Sequence, residues 1–184
     1  MQRSERYTKV AAILHWLIAV MMIGLVIMGF TFDLMPREMK PTAYMLHKSF
    51  GLTVLMLTFV RIWWRLSHPV PPLPESLKPL EVRAARAVHF CFYFLMLAMP
   101  MTGWVMSSAF GKYPTVYFGL FEIPHIPFPE GSKKAISYNS NQAHEMLGTI
   151  VVPALIALHF IGALKHQFID KLPFIQRMCP RCKS

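Results

Sequence analysis

The sequence has few charged side chains, and acidic ones are especially scarce. Of its 184 residues, 15% are charged and nine are Asp or Glu, whereas soluble domains contain about 25% charged residues. Three cysteines are too few for a disulfide-stabilised scaffold. A hydrophobic fraction of 54%, with a mean hydropathy of +0.40, excludes a disordered chain. The composition therefore predicts an integral membrane protein.

Long apolar runs account for the hydrophobic excess. A helix needs about 20 mostly apolar residues to cross a bilayer core roughly 30 Å thick. Four runs are long enough, and they predict spans at about 10–32, 43–66, 84–110 and 141–168. We therefore predict an all-α fold, an integral membrane four-helix up-down bundle formed by residues 1–184 as a single domain.

Basic residues are distributed unequally between the ends of these runs. Of the 19 Lys and Arg residues, 13 lie on the side of the two termini and six on the other side. The positive-inside rule therefore predicts that both termini are cytoplasmic. The net charge of +10 follows from this topology, so the predicted partner is membrane lipid and not nucleic acid. Residues 67–83 are proline-rich and predicted to be extended, and residues 111–140 are predicted to form an external loop.

Histidines are concentrated in the predicted spans. Six of the eight lie within spans or at their ends: His15, His47, His89, His144, His159 and His166. Ionisable groups inside a membrane are costly, so each marks a candidate functional site. A single such residue is equally well explained as a neutral imidazole that hydrogen-bonds to a neighbouring helix. Six of them distributed over all four helices favour a cofactor.

The histidines fall at two depths. His144 and His159 are 15 positions apart, which is about 22 Å along a helix and about 60° around it, so both can face the bundle interior. His144 lies at the outer depth, together with His47. His159 lies at the inner depth, together with His15, His89 and His166. Two layers of paired imidazoles suit two haems, because a low-spin b-type haem takes one axial His from each side. Geometry alone allows His15 to pair with either His89 or His159.

Other uses of these histidines fit less well. Zinc is a weaker candidate, because it would require four ligands close together and acidic or cysteine partners are missing at these depths. A proton relay is possible but does not require paired layers. Cys179 and Cys182 have the CxxC spacing, but no His follows them, so attachment of a c-type haem is not indicated.

Several sequence segments together resemble a known family. They are AAILHWLIAVMM, LHKSFGLTVLMLTFVRIWWRL, RAVHFCFYFLMLAMPMTGW, AHEMLG and ALHFIGALKHQFIDKLPFIQRM. On these segments the chain resembles the bacterial cytochrome b561 family of small four-helix di-haem membrane proteins, which includes superoxide oxidase. The likeness extends from Tyr7 to the RMCPRCKS tail.

The resemblance implies an assignment of haem ligands. His15 and His159 would bind the iron of a haem on the cytoplasmic side, and His47 and His144 the iron of a haem on the periplasmic side. The chain departs from the family pattern by one extra residue between His144 and His159, where Pro153 lies. Because proline removes one helical hydrogen bond, it can accompany a one-residue bulge that restores the angular register. We therefore predict a bulge, and a regular helix would weaken the assignment of His159.

The resemblance also implies an activity in the bacterial inner membrane. Superoxide would be oxidised at the periplasmic side, and ubiquinone, the electron acceptor, would be reduced towards the cytoplasmic side, with two haem b groups between them. A positive surface would attract the superoxide anion, and the candidates for it are Lys48, Lys112, Lys133 and Lys134. The candidates for quinone binding or proton transfer are His89, His166 and Arg65. The competing interpretations are ordinary solvated charges for the lysines and lipid-headgroup anchoring for the inner residues.

Two other functions stay open at this point. One is a cytochrome b subunit that uses the same haems to serve a partner dehydrogenase or a periplasmic redox protein. The other, from a different class, is a His-dependent proton-coupled transporter without haem. A transporter of this kind would be expected to contain a membrane-embedded carboxylate. Glu145 is the one acidic residue near a span core, and we expect it at a helix start, where the helix dipole favours it.

Overall fold

In a computed structural model, the chain is described over residues 6–111 and 114–180. Within these ranges four helices are long and apolar enough to cross a membrane: Lys9–Leu34, Lys40–Ser67, Pro79–Phe110 and Glu130–Ile169. Neighbouring helices are antiparallel, because the end of the first contacts the start of the second, where the rings of Phe32 and His47 lie 5.2 Å apart. The predicted all-α membrane bundle is confirmed.

The first three spans are single helices. Helix α1 is Lys9–Thr31, with a 3₁₀ turn at Phe32–Leu34, and it is followed by α2 (Lys40–Ser67) and α3 (Pro79–Phe110). Helix α3 begins at a proline, and the Glu81 carboxylate accepts a hydrogen bond of 3.0 Å from the Lys78 backbone N–H. Because α3 begins at Pro79, the last residues of the connection predicted to be extended over 67–83 are helical instead.

The fourth span is a longer helix than the sequence predicted. It consists of α4 (Glu130–Met146), a π-helical turn (Leu147–Val151), α5 (Val152–Leu164) and a second π-helical turn (Lys165–Ile169), and α6 (Phe174–Arg177) follows. The prediction of a loop up to residue 140 is wrong. Hydropathy marks where a helix enters the apolar layer, whereas the helix itself begins earlier, in polar sequence. The expected place of Glu145 at a helix start is wrong for the same reason.

A β-hairpin covers the outer end of α2. Strands β1 (Thr115–Tyr117) and β2 (Phe121–Ile123) pair antiparallel. Phe118 and Gly119 both have positive φ, 48° and 77°, as a type I′ turn requires. The Phe118 N–H donates to Ser49 Oγ at 2.8 Å, and the Tyr117 hydroxyl lies 3.0 Å from Thr53 Oγ1. The hairpin is therefore fixed to the bundle by polar contacts.

The bundle interior and the two bundle ends differ in character. A core cluster of Ile18, Val54 and Met96 joins α1, α2 and α3, while large apolar side chains on the outside are exposed, as expected for a lipid-facing surface.

We define the inner end as the end where α1 begins and the outer end as the opposite one. At the inner end the C-terminal segment packs on α1, because Trp16 Nε1 donates to the Met178 carbonyl at 2.8 Å.

Candidate metal centres between the helices

The outer end contains one pair of facing imidazoles. His47 on α2 and His144 on α4 have ring centroids 6.2 Å apart with an interplanar angle of 75°. His144 Nδ1 lies 3.1 Å from the Met99 carbonyl oxygen and 3.1 Å from Thr102 Oγ1. Since a carbonyl can only accept, Nδ1 carries the hydrogen, and Nε2 is left as a lone-pair donor. A ring fixed in this way by a backbone carbonyl is typical of a metal-binding histidine.

Two further observations make this outer pair a candidate binding site. His47 Nδ1 is buried and has no hydrogen-bond partner among the described residues, although buried polar atoms normally have one. Helix α3 approaches the other ring closely at Gly103, where an added Cβ would lie 3.2 Å from His144 Cε1. An imidazole whose Nδ1 has no hydrogen-bond partner among the described residues therefore faces a ring that is held in place from two sides.

The inner end contains a cluster of three imidazoles. His15 on α1 and His159 on α5 have ring centroids 6.1 Å apart with an interplanar angle of 68°. His89 on α3 also lies against His159, with ring centroids 5.6 Å apart. Phe92 covers the same ring at 5.3 Å. The structure thus brings together the two pairs that the resemblance implied and adds His89 to the inner one.

The spacing of the rings suits a metal ion between them. A metal-bound imidazole nitrogen lies about 2 Å from the ion and roughly 1 Å from its own ring centre, so two ligands on opposite sides have centroids about 6 Å apart. The separations of 6.1 and 6.2 Å agree with this value. Each pair can therefore hold one metal ion, and neutral nitrogen ligands on opposite sides suit haem iron.

A bulge in the fourth span separates the two levels. The π-helical turn at Leu147–Val151 ends where the Val152 N–H donates to the Leu147 carbonyl, five residues back. Pro153 follows directly and has no N–H to donate. The predicted bulge beside Pro153 is confirmed, and it inserts one extra residue between the two helical segments that bear His144 and His159.

A charged cluster lies at the inner end of the fourth span. Asp170 Oδ2 accepts from Lys165 Nζ at 2.7 Å and from His166 Nδ1 at 2.6 Å, and Lys165 also pairs with Glu81. The Lys165 ammonium, followed by His166, lowers the pKa of the Asp170 carboxyl. Although the ligand atoms of Glu81, His166 and Asp170 all lie within 4.8 Å of one another, Lys165 already pairs with both carboxylates.

The basic residues predicted to attract an anion are in different environments. Lys48 follows His47 in α2 and is half-buried, Lys134 is exposed on α4, and Lys112 lies outside the described residues. Lys133 pairs with Glu130 at 2.5 Å, so its charge is partly balanced. The free positive field at the outer end therefore depends less on Lys133 than the sequence suggested.

Arg61 is the residue whose position sequence reasoning missed. Long basic side chains near span ends often reach the membrane interface. In the structure the Arg61 guanidinium lies 3.3 Å from His15 Nδ1 and 3.2 Å from the Ala11 carbonyl oxygen. Its place inside an apolar run, one turn before Arg65, was the signal available in the sequence. Arg65 itself lies over the Tyr93 ring at 5.8 Å.

The fold and these pairs define a helical membrane protein with facing histidine pairs between its helices. The family model described as prokaryotic cytochrome b561 matches residues 6–181. The chain therefore belongs to the prokaryotic cytochrome b561 family, whose members bind haem b and transfer electrons in bacterial membranes. The family assignment predicted from the motifs is confirmed, and it favours electron transfer over a haem-free transporter.

Similar proteins match over nearly their whole length. The chain is 34% identical to "Cytochrome b561 homolog 2" of Escherichia coli (strain K12), over 98% of this chain and 94% of that protein. It is 30% identical to "Cytochrome b561 homolog 1" of the same organism, over 97% and 99%. It is 27% identical to "Probable superoxide oxidase CybB" of Yersinia pestis, over 96% and 97%.

Proposed function

We propose that this chain is a di-haem b cytochrome that oxidises superoxide at the outer, periplasmic face and reduces ubiquinone at the inner, cytoplasmic face. The observation that carries the proposal is the presence of two facing imidazole pairs with centroid separations of 6.1 and 6.2 Å. They lie at opposite ends of one bundle. The superoxide oxidase name of one relative supports the choice of electron donor.

The ligand assignment follows the two pairs. His47 and His144 would bind the outer haem iron, and His15 and His159 the inner one. When bound, haem b supplies reversible one-electron transfer, and two such groups in series connect the two faces of the membrane. Two superoxide anions then give two electrons, and ubiquinone with two protons takes them up, so two dioxygen molecules and one ubiquinol are formed.

Basic residues at the outer end would draw superoxide towards its site. A positive surface raises the encounter rate of a small anion, and salt screens this effect. Lys134 is exposed and Lys48 adjoins His47, so these two lysines contribute most of the field among the described candidates. Lys133 contributes less because it pairs with Glu130.

Residues at the inner end would serve ubiquinone. His166 donates through Nδ1 to Asp170, which leaves Nε2 to face a quinone oxygen and to exchange a proton with it. Arg65 is exposed at the inner end of α2 and can bind a quinone oxygen or a lipid headgroup. His89 lies among the inner imidazoles, and we assign it a supporting role beside His159.

The first experiment is a reduced-minus-oxidised spectrum of the detergent-purified protein with a haem-to-polypeptide ratio. We expect two b-type haems per chain in the wild type, one in His159→Ala, and two in the matched variant His89→Ala. If His89→Ala loses a haem and His159→Ala does not, the inner ligand assignment is wrong. A haem-free wild type, folded and supplied with haem, would instead favour the transporter.

The second experiment tests the reaction in proteoliposomes. Potassium superoxide should reduce the haems within milliseconds, and added ubiquinone should reoxidise them. Lys134→Gln should slow reduction roughly twofold at low salt and not at high salt, whereas Lys9→Gln, the same charge change at the inner end, should not. Di-haem protein that superoxide does not reduce would support the rival role of a cytochrome subunit serving a partner dehydrogenase or a periplasmic redox protein.

A further inference from the structure

Two guanidinium groups at the inner end have no acidic partner within the described residues. Arg61 is half-buried, and Arg65 follows it one turn later on α2. Among the described residues, no carboxylate lies within 4.0 Å of either arginine. An unbalanced cation within a membrane-spanning helix is costly. Arg61, which is half-buried within the span, therefore indicates an anion that binds beside it, and Arg65 is exposed one turn later.

The contact between Arg61 and His15 cannot persist when the histidine binds iron. A guanidinium only donates, so His15 Nδ1, at 3.3 Å from the Arg61 side chain, is the acceptor and Nε2 carries the hydrogen. A neutral imidazole that binds a metal through Nε2 has its hydrogen on Nδ1 instead. Iron binding by His15 therefore frees the Arg61 guanidinium, which then requires a different acceptor.

A small cavity beside both arginines can receive such an acceptor. It measures about 30 Å³, which is room for one or two water-sized groups. Its lining includes Thr8, Arg61, Trp64, Arg65, His68 and Tyr93. This space suits the two oxygens of a carboxylate. An arginine fork binds a carboxylate through two parallel hydrogen bonds.

We propose that Arg61, assisted by Arg65, binds a propionate carboxylate of the haem at the inner end. The inference rests on the proposed ligand pair of His15 and His159. Arg61 thus exchanges its contact with His15 for an ion pair with the cofactor. The guanidinium also favours the reduced, more electron-rich form of that haem, so it would make the inner haem a better electron acceptor.

The test compares Arg61→Gln and Arg61→Lys with wild type in the purified holoprotein. Three quantities are measured: the haem-to-polypeptide ratio, the midpoint potentials by redox titration, and the propionate bending band in the resonance Raman spectrum. We expect Arg61→Gln to lower the potential of one haem and to shift its propionate band. Arg61→Lys should recover most of the potential but leave the band shifted, because an ammonium group lacks the fork. The midpoint potential that is missing from the redox titration of His15→Ala identifies the inner haem.

Lys40→Gln is the matched control, since it removes one positive charge from the other end of α2. It should leave the inner potential and propionate band unchanged. Unchanged propionate bands in both Arg61 variants would overturn the proposal. This holds even if the midpoint potential of the inner haem falls, because Arg61 would then act on the haem through its contact with His15. No superoxide or quinone enters these measurements, so the proposal can fail independently of the proposed reaction.

Discussion

Replacement of Gly103 by alanine tests whether helix α3 positions His144 for metal binding. The new Cβ would lie 3.2 Å from His144 Cε1 and 3.5 Å from Nδ1. Carbon atoms pack optimally about 3.5–4.0 Å apart, so the ring or the helix must move by roughly 0.3–0.8 Å. The hydrogen bond from His144 Nδ1 to the Met99 carbonyl, now 3.1 Å, would stretch towards the limit of a hydrogen bond.

The effect on haem binding can be estimated from this displacement. Disturbing the groups that orient a metal-bound histidine reduces metal affinity about 10–100-fold. We expect the lower part of this range for Gly103→Ala, about tenfold, and a larger loss for Gly103→Val. The loss should affect the haem bound by His47 and His144 and spare the other one.

Haem transfer to excess apomyoglobin measures this change. The detergent-purified protein should lose one of its two haems faster in Gly103→Ala than in wild type, and the remaining spectrum should be that of the His47→Ala variant. Gly131→Ala is the matched control, because Gly131 is exposed in the first turn of α4 and an added Cβ meets nothing within 4 Å. Equal transfer rates in the two glycine variants would refute the idea that close packing at Gly103 holds the ring.

Two further predictions concern the ends of the bundle. Ser49→Ala removes the acceptor of the Phe118 N–H, which should destabilise the hairpin by about 1–3 kcal/mol; limited proteolysis should then cut the hairpin faster while the haem content stays the same, and unchanged cleavage would contradict the contact. Asp170→Asn removes one of the two carboxylate partners of Lys165. Because the pKa of the Asp170 carboxyl is lowered on folding, its contribution to stability is present above its unfolded pKa and is lost as the pH falls through the folded pKa. The variant should therefore have a lower Tm than wild type at neutral pH, and this difference should vanish in acid. A difference that persists in acid would contradict the assigned cause.

Much of the architecture could be predicted because bilayer thickness imposes a simple rule on sequence. The apolar runs predicted the four spanning helices, and the histidines within them predicted two levels of imidazoles. The one extra residue relative to the family spacing, together with Pro153, predicted the bulge in the fourth helix. The polar sequence before Met146 carried no hydropathy signal for a helix. A helix that extends beyond the membrane keeps its backbone hydrogen bonds and does not need apolar side chains. The early start of α4 was therefore missed.

By itself the sequence determined the class of protein, the number of spans and the depth of each histidine, since these follow from hydropathy and from the rise per residue. Only the tertiary structure decided which side chains meet. The contact of Arg61 with His15, the close approach of Gly103 to His144 and the docking of the hairpin on Ser49 join residues from different elements. Such contacts depend on how the helices rotate and pack against one another, and spacing within a single helix carries no information about that packing.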